Sequence, residues 1–177
     1  MSLFARLNEA ATQAGLRFIV IGGHAVISHG YQRGTEDADL LVDKAERARW
    51  QALVEGLGFH FKHDGGAFLQ FTSPDTTWWD LDLMLVPAAT FQQLLNDVRP
   101  AQVEGAAVLV PSLPHLLALK LHALKHARGL RVLKDMDDVA HLLLDNGVDV
   151  RAEWVRQLFE KHGTPEHYER ILRLAAP

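Results

Sequence analysis

The hydrophobic pattern changes character near residue 110. Before that point, short apolar runs rich in β-branched residues alternate with segments whose apolar side chains recur every three or four positions, which is typical of alternating strands and helices. After Ser112 only the helical period remains, and Ser112 followed by Pro114 is a typical start of a helix. The sequence therefore predicts an α/β core over residues 1–110, followed by a helical segment over residues 111–177 packed against that core.

The individual elements follow from the same pattern. Strands are expected at 16–21, 37–42, 59–62, 67–72 and 78–86, with a further short strand at 108–110. Helices are expected at 3–14, 24–29 and 44–57, from 90 onward, from 112 onward, and at 130–144, 152–161 and 166–174. Together they predict a mixed sheet with flanking helices.

Composition narrows the function classes. The chain has 177 residues, a formal net charge of −4 and no cysteine, which excludes disulfides and thiolate metal sites. A mildly acidic chain has no global attraction for nucleic acid or an anionic membrane, so any polyanion contact must be local. No apolar run reaches the roughly 18 residues of a membrane span, and the first ten residues lack the layout of a signal peptide. We therefore expect a cytoplasmic protein without a membrane partner.

The strongest chemical signal is Asp37-Ala38-Asp39 at the start of an apolar strand. Residues i and i+2 of a strand point to the same side, so the two carboxylates lie side by side. At about 6 Å and an effective dielectric constant of 20 their repulsion is about 3 kcal/mol. A divalent cation turns that repulsion into attraction. A solvated acidic turn would give the same pattern.

A second acidic pair, Asp80-Leu81-Asp82, begins another apolar run. If the two strands are neighbours, three carboxylates on one face form a cluster able to hold two Mg²⁺ ions around a triphosphate. A charged hairpin rim is the alternative. Asp80 and Asp82 face the same way, so either can be the third carboxylate.

A glycine turn precedes both acidic pairs. In VIGGHAVISHG a strand runs into Gly22 and Gly23, and a short helix follows from His24. Glycines allow backbone to approach a phosphate closely, and a helix N-terminus offers free N–H groups. A tight strand-to-helix turn that needs glycines only for packing would look the same.

Together these segments resemble a known superfamily. The order Gly-Gly, helix, Arg33-x-Thr35-x-Asp37-x-Asp39, then a strand with an apolar-Asp-apolar motif, resembles the nucleotidyltransferases related to DNA polymerase beta. GGHAVISHGYQRGTEDADLLV is most similar to bacterial abortive-infection (AbiEii-like) toxin nucleotidyltransferases. PSLPHLLALKLHALKHARGLRVLKDMDD resembles their helical segment. The resemblance covers about residues 16–145.

The resemblance implies roles for the two glycines of the turn and for the aspartates of the two acidic pairs. Gly22 and Gly23 would form the turn under the nucleotide phosphates, and Asp37 and Asp39 would bind metal. Asp82 would be the third carboxylate, near the acceptor hydroxyl, because Leu81-Asp82-Leu83-Met84 fits the family motif better than the residues around Asp80. Asp80 stays the alternative.

Four further residues are expected to contact nucleotide. Many members have serine after the first glycine, whereas here Gly23 and His24 follow, which leaves phosphate contact to backbone N–H groups or to His24. Arg33 could meet phosphate or position its loop by a salt bridge, and Thr35 could order that loop. Lys120 lies on an apolar helix, where it either reaches solvent along its stem or, as the resemblance favours, contacts phosphate.

The implied function is metal-dependent transfer of a nucleoside monophosphate from an NTP to a hydroxyl acceptor. The resemblance implies Mg²⁺ (or Mn²⁺) as cofactor and RNA, a protein or a small molecule as acceptor. It also implies a toxin of a toxin–antitoxin or phage-defence system, with a cognate antitoxin as partner. The alternative is a non-catalytic nucleotide-binding or regulatory member of the same fold.

Overall fold

The computed structural model describes residues 1–175, which contain seven strands and eight α-helices. The strands are β1 (Phe18–Val20), β2 (Asp37–Asp43), β3 (His60–Asp64), β4 (Phe68–Thr72), β5 (Asp80–Val86), β6 (Val98–Val103) and β7 (Ala106–Pro111). The helices are α1 (Leu3–Ala14), α2 (Gly22–Ser28), α3 (Arg47–Gly56), α4 (Ala88–Leu95), α5 (Leu113–His126), α6 (Leu130–Leu144), α7 (Glu153–His162) and α8 (Pro165–Leu174). A single 3-10 turn, Lys44–Glu46, precedes α3.

These elements divide into two compact units. Unit 1 comprises residues 1–28 and 33–111, which include every strand. Unit 2 comprises residues 29–32 and the chain from Ser112 onward, where all the regular structure described is helical.

Unit 1 is built on a five-stranded mixed sheet with the order β1-β2-β5-β4-β3. β2 and β5 run parallel at its centre, whereas the other three pairings are antiparallel. The predicted fold class, a mixed sheet with flanking helices followed by helices, is confirmed.

The two faces of β5 differ in solvent exposure, as expected for a half-buried strand. Leu81, Leu83 and Leu85 are buried, and the residues between them are partly exposed. Alternation with period two places successive side chains on opposite faces. Asp80 and Asp82 therefore share the face that solvent reaches.

Helices α1 and α3 cover unit 1 with apolar side chains. Phe4 of α1 and Trp50 of α3 are fully buried, and the Trp50 ring packs edge-on against Phe18 of β1 at 5.9 Å. The predicted ends of α1 are also found, because the Ser2 side chain accepts a bond from the helix N-terminus and Gly15 adopts the left-handed conformation at the other end. This packing fixes β1, the strand that leads into the glycine turn.

The structure corrects several predicted boundaries in unit 1. β6 was not expected, because Arg99 and Pro100 make its sequence polar and proline is uncommon in strands. It pairs with β7 through a tight turn at Glu104 and Gly105, both of which have positive φ. The glycine of this turn was the available sequence signal for the hairpin. Helix α4 begins at Ala88 and not at 90, directly after proline. β5 begins two residues later than the predicted start at 78.

Unit 2 is a set of four helices around an apolar core. Leu117 and Leu121 of α5, Leu143 of α6 and Phe159 of α7 are among its buried side chains. The short segment 29–32 belongs to this unit through specific contacts, described next.

Segment 29–32 is held by α6 and the turn after it. The Tyr31 ring stacks on His141 with centroids 3.7 Å apart, and the Tyr31 hydroxyl donates to Asp137. Asn146 Nδ2 donates to the carbonyl of His29 at 3.0 Å. Within residues 1–175, no helix is long and apolar enough to cross a bilayer.

Candidate active site

An aspartate cluster lies at the amino ends of β2 and β5. The parallel register sets Asp37 opposite Asp80 and Asp39 opposite Asp82. One carboxylate oxygen from each of Asp37, Asp39 and Asp82 lies within 4.8 Å of the other two, and all three residues are half-buried. Two strands adjacent in space thus bring together carboxylates that are more than 40 positions apart in sequence.

Asp80 has different neighbours, although its side chain faces the same way as Asp82. Its Oδ1 accepts from the backbone N–H of Ser73 at 2.9 Å, and its Oδ2 lies 3.8 Å from Lys62 Nζ. The first residue of a strand can reach the preceding turn, whereas Asp82 is held inside the strand. The structure groups Asp82 with the Asp37–Asp39 pair and directs Asp80 to the turn.

Gln70 is a contact of the cluster that the sequence did not single out. It lies on β4 directly opposite Asp82, and its side-chain amide lies 3.0 and 3.2 Å from the two oxygens of that carboxylate. An amide donor fixes the orientation of the carboxylate without neutralising it. The only sequence signal for Gln70 was a polar position between Leu69 and Phe71, both buried.

The glycine turn lies directly against the second carboxylate of β2. The N–H of Ile21 donates to the carbonyl of Asp39 at 2.9 Å, so the chain leaving β1 stays beside Asp39. Gly22 then turns with φ +61°, and a β-carbon on it would overlap the Asp39 carboxylate. Both the positive φ and the close approach require glycine at this position.

Gly23 packs against the loop that leads into β2. A β-carbon here would overlap the Thr35 side chain and lie 3.2 Å from Arg33 Nη1. Thr35 Oγ1 donates to the carbonyl of Asp37 at 3.2 Å, and Trp79 Nε1 donates to the carbonyl of Thr35 at 3.4 Å. Arg33 and Thr35 thus adjoin the glycine turn, and their contact with a nucleotide stays a prediction.

His24 lies in the interior of unit 1. Its ring meets Phe4 edge-on at 4.9 Å and Trp79 edge-on at 5.0 Å, and the residue is 6% exposed. Nε2 is buried without a hydrogen-bond partner in the described residues. Burial lowers the pKa of His24, an effect that Asp37 opposes and Arg33 reinforces, so the neutral ring is favoured. A phosphate contact by His24 stays a prediction.

Lys120 belongs to unit 2 and has carboxylate partners there. Its Nζ lies 2.7 Å from Asp138 and 3.5 Å from Asp135, and its side chain is 11% exposed. Arg131 Nε approaches Asp135 at 3.6 Å. The sequence analysis offered solvent or a phosphate as the surroundings of the Lys120 ammonium group, and the structure supplies two aspartates of its own unit.

The aspartate cluster of unit 1 suits a hard divalent cation. All its donors are carboxylate oxygens, which Mg²⁺ and Mn²⁺ prefer over nitrogen or sulfur ligands. Three half-buried carboxylates within 4.8 Å of one another repel each other strongly unless a cation lies among them. No other such group of histidine, aspartate and glutamate side chains is found in residues 1–175.

Solved structures share this fold. The antibiotic-resistance factor ANT(2″)-Ia in complex with adenylyl-2″-tobramycin has a TM-score of 0.68 and 17% identity, covering 98% of this chain and 97% of that one. The nucleotidyltransferase toxin MenT4 from Mycobacterium tuberculosis H37Rv has a TM-score of 0.57 and 16% identity, covering 97% of this chain and 69% of that one. At such identities the likeness shows the fold alone.

A third solved structure is the lincosamide antibiotic adenylyltransferase LnuA bound to lincomycin, with a TM-score of 0.55 and 12% identity over 80% of this chain and 98% of that one. None of the curated proteins matches the chain. The family described as "Uncharacterised nucleotidyltransferase" matches residues 2–177. With this match over nearly the whole chain, and with the nucleotidyltransferase fold around its paired aspartates, the protein belongs to that nucleotidyltransferase family and so to the transferases.

Proposed function

We propose that the protein transfers a nucleoside monophosphate from an NTP to a hydroxyl group of an acceptor, with release of pyrophosphate. The observation that carries this proposal is the cluster of Asp37, Asp39 and Asp82, with Gly22 lying directly against Asp39. A glycine beside paired carboxylates leaves backbone where a triphosphate can approach closely. Family membership supports the same reaction class.

Asp37, Asp39 and Asp82 would hold Mg²⁺ (or Mn²⁺). When bound, the metal neutralises triphosphate charge and polarises the reacting phosphoryl group. The protein's own side chains contribute by positioning the reacting groups. Gln70 holds the Asp82 carboxylate through its side-chain amide, and that carboxylate is the group that would accept the proton of the acceptor hydroxyl. Gly22 and Gly23 would lie under the phosphates, with Arg33, Thr35, His24 and Lys120 as further candidate nucleotide contacts.

Residues 1–110 would form the catalytic core, and a helical segment over residues 111–177 would follow it. The sequence resemblance to AbiEii-like toxins points to a toxin of that kind. The MenT4 toxin shares the fold, which supports a role as a toxin, and a cognate antitoxin would then be a partner. RNA, a protein and a small molecule remain candidate acceptors. Because NTPs are abundant in the cytoplasm, we place the activity there.

One observation favours the alternative, a non-catalytic nucleotide-binding or regulatory protein. The family motif commonly has a serine hydroxyl near the phosphates, whereas here the neighbouring side chain is the buried ring of His24. A site of this kind could bind nucleotide without transferring it. Nucleotide-dependent stabilisation without pyrophosphate release would then be observed.

Labelled NTPs incubated with a total cell extract and Mg²⁺ test the proposal. The wild-type protein should transfer label to one fraction and release pyrophosphate, whereas Asp39→Ala should lower the rate by at least about 100-fold, because the cluster loses a metal ligand. Circular dichroism checks that the variant is folded. Equal labelling by both proteins would place the active site elsewhere, and NTP-dependent thermal stabilisation without labelling would favour the non-catalytic alternative.

A further inference from the structure

Unit 2 has a cluster of basic side chains where α5 packs against α7. It consists of His122, Lys125, His126, Lys161 and His162, which we call the α5–α7 basic surface. The His122 and His126 rings lie one helical turn apart with centroids separated by 4.9 Å. His122, Lys125, His126 and Lys161 are exposed, and His162 is partly so. The surface is therefore accessible in unit 2 taken by itself.

The lysines of this surface differ from the other basic residues of the unit. Lys120 pairs with two aspartates, and Arg156 pairs with Glu153 and Glu160. In residues 1–175, by contrast, neither Lys125 nor Lys161 has a carboxylate within ion-pair distance. Two cationic side chains on adjacent helices thus lack internal neutralisation.

One histidine of the surface, His162, is affected by its basic neighbours. Burial lowers the pKa of His162, and the neighbouring Lys161, His122 and Lys125 lower it further. Lys161 and Lys125 are both cationic, so they repel each other in the free protein. An anion bound at the surface would relieve that repulsion.

Aromatic rings accompany the lysines. Trp154 is 39% exposed and lies seven residues before Lys161 on α7, a spacing that places both on the same helical face. Lysines that contact phosphates, interleaved with rings on which bases stack, are the combination used to bind single-stranded nucleic acid. If the ligand of this surface were instead an acidic protein, it would contact only the lysines, and the aromatic rings would have no role in binding.

We propose that the α5–α7 basic surface binds single-stranded RNA, and that RNA is the class of acceptor for the transfer reaction. The second part rests on the proposed function, and the first does not. Lys125 and Lys161 would contact phosphates, while Trp154 and the paired rings of His122 and His126 would stack on bases. The formal net charge of −4 is compatible with this proposal, because unit 1 has 8 basic and 13 acidic residues, whereas unit 2 has 10 basic and 9 acidic residues.

The test measures binding of the full chain to a fluorescein-labelled, 20-nucleotide single-stranded RNA of mixed sequence, without NTP or divalent metal. Fluorescence anisotropy from 50 to 200 mM salt gives the slope of log K against log salt. Each lysine–phosphate contact contributes about 0.7 to this slope. The double variant K125Q/K161Q should therefore reduce the slope by about 1.4. The matched control is R17Q/K44Q, which removes two exposed charges from unit 1 and should leave the slope unchanged.

An unchanged slope in K125Q/K161Q, or an equal decrease in R17Q/K44Q, would overturn the proposal. A 20-residue polyglutamate peptide is the comparison ligand, and tighter binding of this peptide than of RNA would also overturn it in favour of an acidic protein. Asp39→Ala should bind the RNA as the wild-type protein does, which separates binding from catalysis. If label from NTP enters a protein or small-molecule fraction while RNA does not bind, the RNA proposal fails and the transfer reaction stands.

Discussion

Both units gather aspartates, but they do so in opposite ways. In unit 1, Asp37, Asp39 and Asp82 are half-buried with oxygen atoms within 4.8 Å of one another. In unit 2, Asp135 and Asp138 are 4% and 0% exposed, and the ammonium group of Lys120 lies between them. Solvent reaches the first cluster, whereas a lysine of the protein itself lies within the second.

This difference shows why acidic motifs in a sequence do not by themselves mark metal sites. A fully buried carboxylate needs a permanent partner, because an unpaired buried charge is very costly. A half-buried cluster keeps enough contact with water to persist until a ligand arrives. We therefore interpret the unit 1 cluster as a binding site, and the unit 2 cluster as a link between α5 and α6.

The largest effect should come from removing the Lys120 ammonium group of unit 2. Lys120→Met leaves two buried carboxylates without their ammonium partner, and breaking a buried ion pair costs about 3–5 kcal/mol of unfolding free energy. Urea denaturation measures this loss. Lys125→Met, on the same helix but exposed, is the control and should change stability by about 0.5 kcal/mol or less. A Lys120→Met variant that is fully stable but fails to bind NTP would instead support a phosphate contact.

The next effect concerns the glycine turn of unit 1. Gly22→Ala adds a β-carbon that would overlap the Asp39 carboxylate, and it puts a residue with a side chain at a backbone φ of +61°. Because the carboxylate must move, Mg²⁺-dependent NTP binding should weaken by about tenfold or more. The positive φ should in addition lower the free energy of unfolding by about 1–2 kcal/mol. Titration calorimetry measures the affinity.

Gly15→Ala is the matched control for Gly22→Ala. Gly15 has φ +64°, but a β-carbon there meets nothing within 4 Å. It should lose similar stability and keep its NTP affinity. Equal NTP affinities for both variants would show that the close approach of Gly22 to Asp39 does not matter for the site.

A smaller effect is expected at His24, whose buried Nε2 has no partner in the described residues. Phenylalanine keeps an aromatic ring between Phe4 and Trp79, so His24→Phe should change stability at pH 7.5 by about 1.5 kcal/mol or less. The pKa of His24 is below its ordinary 6.5 in the folded protein. The unfolded chain therefore binds the proton first as pH falls below 6.5, and the wild-type protein loses stability there.

His24→Phe should remove that part of the pH-dependent loss, which urea denaturation between pH 7.5 and 5.5 would measure. If His24 serves in packing alone, NTP affinity at pH 7.5 is retained. A folded His24→Phe variant that no longer binds NTP would assign His24 to the phosphate site and contradict a packing role.

The sequence predicted the parts of the fold and site that depend on local pattern. The pairs Asp37–Asp39 and Asp80–Asp82 were visible because strand period two places both carboxylates of a pair on one face. Gln70 was not visible as a neighbour of Asp82, because that contact depends on the register between β4 and β5. Long-range register is set by packing of the whole sheet.

The same limit applied to Lys120 and β6. The sequence left open whether Lys120 reaches solvent or a phosphate, because only the packing of α5 on α6 determines that Asp138 is its partner. β6 was missed because its polar residues and Pro100 have low strand propensity, which its pairing with β7 overrides. Tertiary contacts, and not local sequence, decide such elements.

The most direct test of the unit 1 site compares Asp82→Asn with Asp80→Asn in Mn²⁺ binding, measured by titration calorimetry on the full chain. The two residues lie on one strand and face the same way, but only Asp82 belongs to the aspartate cluster. Asp82→Asn should weaken Mn²⁺ binding by about 100-fold or more, since even residues that only support metal ligands contribute 10–100-fold. Asp80→Asn should retain affinity to within about threefold. A loss confined to Asp80→Asn, or equal losses in both, would contradict the assignment of Asp82.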